Sequence, residues 1–379
     1  MRKGWEYKKL GEVCDITMGQ SPDGNSINET NGVEFHQGKT CFGERFLGVS
    51  PLYSNAPTKL AEAHSVLLCV RAPVGYPNIT DRKICIGRGL CALYAKREID
   101  NTFLYYSLLG KQSYFEKNAT GSTFKAISSK TVSNTTLSIP PKFTQLAIVS
   151  ELDKINKLIR LKKEQLKDFD NLAQSLFYEM FGDPMENEKG WEVKKLGDIS
   201  SIGTGSTPNR KNKDFYKNGT YPWVKSTEVC NLPIYSVEEY ITEEALKNSN
   251  CTLYPPNTIL MAMYGQGKTR GQIGLLKIEA CTNQAVAAIM PTKEVVDEIF
   301  LSQHLMLMYE HIRNMARGGN QANLNLSIVK SIQIFLPPLS LQHLFAQRIE
   351  QIEREKSEVQ KSIQDLETLL ASRMQYWFE

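Results

Sequence analysis

Apolar residues recur every three or four positions through two segments of about 40 residues, each of which begins just after a Pro-Pro pair. The two patterns share one register, because Pro337-Pro338 lies 197 residues after Pro140-Pro141. The first set of seam positions is Ile148, Leu152, Ile155, Ile159, Lys162, Leu166, Phe169, Ala173, Leu176 and Met180. The second set is Phe345, Ile349, Ile352, Lys356, Val359, Ile363, Leu366, Leu370, Arg373 and Trp377. This spacing predicts two long helices that pack on each other.

At 1.5 Å per residue, each predicted helix is about 60 Å long, which is more than a domain of this size needs internally. We therefore interpret both helices as spacers that form an antiparallel pair within the chain. An apolar stripe also suits packing inside a single core, but its length in both copies favours the pair of helices. Lys162 and Lys356 interrupt the seam, where a polar residue either fixes the register or extends to solvent.

Between the spacers, short apolar runs bounded by Gly and Pro predict strands, namely Ser65 to Val70, Thr258 to Met263, Ala285 to Met290, Leu137 to Ile139 and Ile332 to Leu336. One helix is predicted near Phe103 to Lys117 and another near Val295 to Arg317. The predicted class is α+β: two similar α/β domains in a pseudo-twofold arrangement, separated by two long antiparallel coiled-coil helices.

The opening of the chain is repeated. The decapeptide from Gly4 to Val13 returns 186 residues later, from Gly190 to Ile199, with seven of ten positions identical. The two regions that follow the copies of this decapeptide share little beyond their pattern of apolar and polar positions. We therefore divide the chain into a first domain (1–140), a central helical spacer (141–182), a second domain (183–337) and a C-terminal helical spacer (338–379).

Composition restricts the class of protein. With 379 residues, 41% apolar and 23% charged, the chain suits two or three globular domains and excludes a disordered or fibrous protein. It has no membrane-spanning run or signal-peptide core, so we expect a cytoplasmic protein. The eight cysteines and five histidines form no metal-binding spacing, and no metal is expected. The net charge of +4 permits a polyanionic partner without requiring one.

Two glycine motifs resemble catalytic or nucleotide-binding loops. Residues 262–269 nearly complete a GxxxxGK[ST] phosphate loop, but Ala262 replaces the first glycine and the following sequence is too rich in glycine for the required helix. Gly203-Thr204-Gly205 lacks the Asp/Asn-Pro-Pro-Tyr/Phe tetrapeptide of methyltransferases. No set of residues supplies a nucleophile, a base and an orienting group together, so we predict a non-catalytic chain.

The loops are instead rich in basic residues and hydrogen-bond donors. Arg210, Lys211, Lys213 and Lys217 lie within eight residues beside Phe215 and Tyr216. Lys and Arg neutralise phosphates, whereas Gln, Asn, Ser, Thr and Arg read base edges. Each residue alone also suits a solvated turn. Because the loops occur in two similar domains with divergent middles, the pattern favours a DNA target with two half-sites of different sequence.

These residues resemble the specificity subunit of type I restriction-modification enzymes, over essentially the whole chain. The resemblance lies in the Trp-Glu-x-x-Lys-Leu-Gly-[Glu/Asp] opening of each half and in short ordered motifs. These are Met18-Gly19-Gln20-Ser21-Pro22, Phe35-His36-Gln37-Gly38, Gly121-Ser122-Thr123-Phe124-Lys125, Gly205-Ser206-Thr207-Pro208, Tyr221-Pro222-Trp223-Val224 and Asn323-Leu324-Asn325-Leu326-Ser327.

The resemblance implies two target-recognition domains on double-stranded DNA, two methyltransferase partner subunits and motor-nuclease subunits. It also implies that S-adenosylmethionine belongs to the methyltransferase, ATP and Mg to the motor-nuclease, and no cofactor to this chain. Two other interpretations stay open: the specificity protein of a related bipartite type II system, and a coiled-coil adaptor that binds proteins rather than DNA.

The loops supply the predicted DNA-binding residues. In the first domain these are Gln20, Ser21, His36, Gln37, Arg71, Ser122, Thr123 and Lys125. In the second they are Ser206, Thr207, Arg210, Lys225, Gln266, Lys268, Thr269, Arg270, Asn320 and Gln321. Trp5 and Trp191 occupy equivalent positions, and we expect them to pack each domain against the helices.

Overall fold

The structure is a computed structural model that describes residues 4–121, 125–265, 267–316 and 323–378. It divides into two compact units. Unit 1 comprises Met1–Lys163 and Lys361–Glu379, and unit 2 comprises Glu164–Gln360. The described residues include no helix that is long and apolar enough to cross a membrane.

Unit 1 contains strands that form three sheets. The strands are β1 (Glu6–Lys9), β2 (Cys14–Met18), β3 (Ile27–Asn28), β4 (Val33–His36), β5 (Tyr53–Ser54), β6 (Leu60–Ala61), β7 (Val66–Cys69), β8 (Pro77–Ile79), β9 (Ile84–Ile86), β10 (Leu90–Ala95) and β11 (Thr136–Ile139). The sheet orders are β2-β10-β7-β8, β3-β5-β4-β9-β6 and the antiparallel pair β1-β11. Most neighbours are antiparallel, whereas β4 and β9 run parallel.

Unit 2 repeats this plan. Its strands are β12 (Glu192–Lys195), β13 (Ser200–Thr204), β14 (Tyr221–Val224), β15 (Pro233–Ile234), β16 (Tyr240–Ile241), β17 (Ile259–Ala262), β18 (Ile273–Leu276), β19 (Cys281–Thr282), β20 (Val286–Pro291) and β21 (Gln333–Leu336). The sheet orders are β13-β20-β17-β18-β15, β16-β14-β19 and β12-β21. As with β4 and β9, β14 and β19 run parallel.

The helices also repeat. They are α1 (Leu10–Val13), α2 (Asn101–Leu109), α3 (Gln112–Lys117), α4 (Ser129–Asn134), α5 (Lys142–Phe181), α6 (Leu196–Ile199), α7 (Glu243–Lys247), α8 (Glu298–Leu307), α9 (Tyr309–Met315), α10 (Leu326–Ser331) and α11 (Leu339–Phe378). The two long helices, α5 and α11, have 40 residues each.

The central strand of each unit is buried on both faces, which explains its continuous apolar sequence. In β7, Val66 and Leu68 pack into the helix-covered core, while Leu67 and Cys69 pack into a second cluster on the opposite face. The residues of β17 alternate between two clusters in the same way. Because successive side chains point to opposite faces, a strand between two layers needs an apolar residue at every position.

The long helices pair in antiparallel orientation within each unit. In unit 1, Glu151 of α5 accepts hydrogen bonds from Arg373 of α11, and Lys163 of α5 lies 2.9 Å from Glu367 of α11. Later residues of α5 therefore contact earlier residues of α11, as antiparallel helices require. In unit 2, Asp170 lies 2.9 Å from Lys356, and the rings of Phe177 and Phe345 lie 5.6 Å apart. The predicted α+β class with two similar domains and long antiparallel helices is confirmed. The four domain boundaries proposed from sequence stay a prediction.

The two lysines that interrupt the predicted seam have different environments. The side chain of Lys356 is 12% exposed, and its ammonium lies 2.9 Å from both Asp170 and Glu353. Two carboxylates therefore compensate for its burial. Lys162 is half-buried.

One prediction about the short helices is wrong. Each expected single helix is two helices, with a turn at Gly110 and Lys111 between α2 and α3 and a turn at Met308 between α8 and α9. The reason is tertiary: α2 is buried from Phe103 to Leu108, and the turn lets Phe115 of the exposed α3 enter the same core.

Both tryptophans at the domain openings contact the long helices, as predicted. Trp5 stacks on Trp377 of α11 with ring centroids 6.2 Å apart. Trp191 donates a hydrogen bond from Nε1 to the Phe181 carbonyl oxygen at the end of α5, at 2.9 Å. Each opening is therefore joined to a helix end inside its own unit.

Candidate nucleic-acid interface

In unit 1, five loops converge where strands β2, β4, β7 and β9 end and β10 begins. We call residues 19–21, 36–39, 70–72, 87–89 and 125–127 the first loop edge. Backbone hydrogen bonds link these loops: Gln20 N to Ile86 O (3.0 Å), Gly87 N to His36 O (2.7 Å), Val70 N to Gly89 O (2.9 Å) and Ile127 N to Val70 O (2.9 Å). The convergence brings sequence-distant predicted residues onto one edge.

Unit 2 builds the same edge with the same four bonds. We call residues 205–207, 224–226, 263–265, 282–285 and 323–324 the second loop edge. The bonds are Ser206 N to Thr282 O (3.0 Å), Asn283 N to Val224 O (3.1 Å), Met263 N to Ala285 O (2.8 Å) and Leu324 N to Met263 O (3.1 Å). The backbone framework is therefore repeated where the side chains differ.

A glycine permits the closest backbone approach at each edge. A Cβ atom at Gly19 would lie 2.1 Å from the carbonyl oxygen of Gly87, and one at Gly205 would lie 1.8 Å from that of Thr282. Neither distance is compatible with a side chain, because the obstructing atoms belong to the backbone. These two glycines start the loops that carry Gln20-Ser21 and Ser206-Thr207.

Side chains at the first loop edge line a small cavity of about 150 Å³. Gln37, Lys39 and Arg71 contribute to its lining. The Lys39 ammonium lies 3.9 Å from the ring centroid of Tyr76, and Lys125 is tied to the cavity rim by its carbonyl oxygen, which accepts from Ala72 N at 3.0 Å. Gln20, Gln37, Arg71 and Lys125 are exposed. An amide and several cations therefore face solvent together.

His36 lies at this edge but is buried, with 2% of its surface exposed. Its Nε2 donates to Glu34 at 2.8 Å, and Glu34 also accepts two hydrogen bonds from Arg82. Burial lowers the pKa of His36. Burial opposes ionisation of Glu34, but the bonds from Arg82, Ser50 and His36 outweigh it and lower its pKa to about 2. The His36 ring thus supports the strand before Gln37 and does not face solvent.

Ser21 has an environment of its own. It is half-buried, and its hydroxyl oxygen is buried without a hydrogen-bond partner among the residues that the structure describes. A buried hydroxyl without a partner is costly, and a ligand donor or water would compensate for it. The preceding carbonyl, of Gln20, accepts a hydrogen bond from Thr58.

At the second loop edge, the predicted residues belong to a hydrogen-bonded surface. Thr207 donates to the side chain of Gln284. Arg210, just beyond the edge, donates to both carboxylate oxygens of Glu239, and Lys225 donates to Glu238 at 2.7 Å. Ser206 and Thr207 are half-buried, whereas Arg210 is exposed. Two of the predicted DNA-binding cations therefore have acidic neighbours.

Lys268, Thr269 and Arg270 lie on the turn between β17 and β18, which pair antiparallel as a hairpin. Tyr309 donates a hydrogen bond to the Lys268 carbonyl oxygen at 2.6 Å, which attaches the turn to α9. A phosphate-binding loop leads from a strand into a helix, whereas this turn leads into a strand. The hairpin thus agrees with rejection of a nucleotide loop at residues 262–269.

The remaining predicted residues lie outside the described part of the chain: Ser122, Thr123, Gln266, Asn320 and Gln321. Their assignment stays a prediction. Within the described ranges, no group of three or more His, Cys, Asp or Glu residues is arranged to hold a metal ion. The cysteines that the structure describes are free thiols, and Cys14, Cys69, Cys85, Cys91 and Cys281 are buried.

Sequence reasoning missed several residues of these surfaces. Lys39 follows the motif that contains Gln37, but only the fold places it beside Arg71 in the lining of one cavity. Glu238 and Glu239 were missed because sequence spacing does not show that they meet Lys225 and Arg210. The available signal was charge: residues 226–246 contain five Glu and no Lys or Arg, and they follow the basic segment that contains Arg210 and Lys225.

Comparison with known proteins identifies the family. The sequence matches the model of the type I restriction modification DNA specificity domain twice, over residues 2–168 and 188–368. The two matches correspond to the two halves of the chain and together include both loop edges.

Among similar proteins, the MjaIX type I restriction enzyme specificity subunit of Methanocaldococcus jannaschii is 24% identical over 363 residues, covering 89% of this chain and 84% of that protein. The EcoR124I/EcoR124II specificity subunit of Escherichia coli is 30% identical over 155 residues, covering 40% of this chain and 38% of its own length. The second match thus spans less than half of that relative.

A solved structure described as the basis of complex assembly and conformational transition of the type I R-M system contains a similar chain. The TM-score is 0.67 at 18% identity, and the match covers 100% of this chain and 98% of the other. At this identity the likeness shows a shared fold.

Proposed function

This chain belongs to the family of type I restriction-modification DNA specificity domains, and we propose that it reads a bipartite, asymmetric DNA target with its two loop edges. The repetition of the same four backbone bonds around different side chains supports this proposal. A shared framework gives each edge the same mode of approach to DNA. Different side chains give each edge its own base preference.

The two edges offer different recognition chemistry. The first presents Gln37 with Lys39 and Arg71 around one cavity. Amides pair with adenine, arginine pairs with guanine, and lysine neutralises phosphate. The second presents the hydroxyls of Ser206 and Thr207 with the cations Arg210 and Lys225. In this proposal His36, Glu34 and Arg82 hold the strand that presents Gln37, and they do not touch DNA.

The proposed division of labour leaves catalysis to partner subunits. The chain would position two methyltransferase subunits that bind S-adenosylmethionine, together with motor-nuclease subunits that use ATP and Mg. It would carry no cofactor itself. The two DNA-reading edges and the two long helices give such an assembly separate surfaces for target recognition and for partner docking.

Adenine-methylation mapping tests the proposal. The chain is expressed with its neighbouring methyltransferase, and genomic DNA is sequenced by a single-molecule method. We expect a split motif with one methylated adenine in each half. If the complex assembles with a methyltransferase that is shown to be active and no methylated motif appears, the DNA-reading role is contradicted, and a protein-binding adaptor becomes the better account.

A variant assigns each edge to its half-site. Gln37→Ala should relax the base preference in one half of the motif and leave the other half unchanged, because Gln37 is an exposed side chain of the first loop edge alone. Asn134→Ala, which removes an exposed amide at the end of α4, is the matched control and should leave both halves unchanged. Relaxation of both halves by Gln37→Ala would contradict separate readers.

A further inference from the structure

Two cations of unit 2 meet two adjacent carboxylates of one loop. Arg210 donates from both terminal nitrogens to Glu239, with Nη2 at 3.0 Å from Oε2. Lys225 Nζ donates to Glu238 Oε2 at 2.7 Å. The pairs carry the same charges but differ in the exposure of the carboxylate. The Glu239 side chain is 26% exposed, whereas that of Glu238 is 74% exposed.

Aromatic rings restrict Arg210 further. Its guanidinium carbon lies 4.4 Å from the ring centroid of Tyr216 and 4.8 Å from that of Trp223. Tyr216 donates its hydroxyl hydrogen bond to Pro208 O at 2.6 Å, and Trp223 donates from Nε1 to Ser206 O at 3.0 Å. Both rings are thus fixed to the segment that carries Arg210.

The loop that supplies Glu239 is itself anchored. The carboxylate of Glu228 accepts from the backbone N–H of Lys225 at 2.8 Å and from that of Glu238 at 2.9 Å. The carbonyl oxygen of Glu239 accepts from Trp223 N at 3.0 Å, which joins the loop to β14. Glu239 therefore reaches Arg210 from a defined backbone position.

Arg210 keeps the means to contact DNA while it is paired. A guanidinium has five N–H donors in a fixed plane, and Glu239 uses two of them. The Arg210 side chain is 49% exposed. A guanidinium held in one orientation presents its fixed fork of donors to the matching base, whereas a freely rotating one can turn toward other bases. A buttressed arginine therefore discriminates between bases better than a free one.

We propose that Glu239 is a positioning residue for specificity: it holds Arg210 in the orientation that reads one base position of the half-site of unit 2. The Lys225–Glu238 pair has a single hydrogen bond, and its carboxylate partner is 74% exposed, so it contributes a cation that is held less firmly. This inference rests on the proposed function.

The test uses the assembled complex of the full chain with its methyltransferase partner. Duplexes carry the mapped motif with each position of the half-site varied singly. Glu239→Gln should reduce discrimination at one position by about two- to tenfold, because Arg210 can then reorient toward a mismatched base at the ordering cost of one long side chain. Glu238→Gln removes the same charge one residue away, and it should leave discrimination at every position unchanged.

Arg210→Ala provides the second variant. It should lose discrimination at the same position, and Glu239→Gln added to it should cause no further loss, because the carboxylate acts only through Arg210. Equal thermal unfolding of the variants excludes general misfolding. Unchanged discrimination in Glu239→Gln, or equal loss in Glu238→Gln, overturns the inference alone. A wild-type complex without sequence preference overturns the proposed function as well.

Discussion

At the residue scale, the two glycines that begin the first loop of each loop edge were visible in the sequence, but the reason for a glycine at these positions was not. Gly19 lies in Met18-Gly19-Gln20-Ser21-Pro22, and Gly205 lies in a Gly-x-Gly motif, but neither pattern indicates which atom the glycine must approach. The structure shows that a backbone carbonyl occupies the place of each missing side chain. Such a contact joins residues distant in sequence, so no local pattern reports it.

Gly19→Ala should therefore abolish methylation of the target motif. Its Cβ would lie 2.1 Å from Gly87 O, and the backbone shift that relieves this contact costs about 1–3 kcal/mol and displaces the loop of Gln20. Gly24→Ala is the control, since apart from its chain neighbours no atom of the described residues lies within 4 Å of its Cβ position. Methylation mapping compares the two variants, and wild-type methylation in Gly19→Ala would contradict the role of this close approach.

His304 is a second residue that the fold places unexpectedly. It is fully buried among Phe177, Phe300 and Phe335, and neither ring nitrogen has a hydrogen-bond partner in the described residues. Burial lowers its pKa to about 3. The equivalent residue of unit 1, Ser107, instead donates its hydroxyl to Phe103 O at 2.8 Å.

This histidine makes the stability of unit 2 depend on pH. Above about pH 6.5 the imidazole is neutral in both states; below it the unfolded chain takes up a proton that the folded chain does not. Stability should therefore fall from pH 7 to pH 5 by about 2 kcal/mol through this group. His304→Leu should lose less stability than the wild type between pH 7 and pH 5, because the contribution of this imidazole is removed. Urea unfolding at the two pH values measures the free energy of unfolding of both proteins. An equal pH dependence in both proteins would contradict the assignment.

At the element scale, the joint between each domain and its following helix depends on one glutamine. Gln145 accepts from Asp100 N at 2.8 Å and donates to Glu98 O and Pro140 O at 2.9 Å each. Gln342 repeats two of these bonds in unit 2, with Asp297 N at 3.0 Å and Pro337 O at 2.8 Å. The sequence shows that Gln145 and Gln342 are 197 residues apart, the same offset as the two Pro-Pro pairs. It does not show which backbone groups these glutamines bind.

Gln145→Leu should destabilise unit 1 by about 2–4 kcal/mol, because it leaves buried backbone groups without partners. Gln351→Leu, an exposed position on α11, makes the same chemical change and should cost little. Thermal unfolding of the two variants measures the difference. Similar losses of stability in both variants would indicate that the buried hydrogen bonds of Gln145 do not stabilise unit 1.

At the scale of the whole molecule, the long helices are continuous across the division of the chain, since α5 begins in unit 1 and ends in unit 2. The sequence predicted both helices and their common register from apolar spacing. We propose that their length determines the gap between the two half-sites of the target.

Insertion of one heptad into each helix, after Lys163 and after Gln360, tests this proposal. Seven residues add about 10 Å of helix while the apolar register is kept. At 3.4 Å per base pair, the recognised gap should grow by about three base pairs. Methylation mapping of the variant gives the gap directly. An unchanged half-site separation would exclude the helices as the determinant.

The sequence by itself determined the repeat, the two long helices, the apolar central strands and the family. Each of these depends on local periodicity or on self-similarity, which a single chain displays. Only the tertiary structure decided which loop residues meet: it buried His36, placed Lys39 beside Arg71, and set Glu239 against Arg210. These outcomes depend on backbone hydrogen bonds between segments tens of residues apart, and linear spacing carries no record of such contacts.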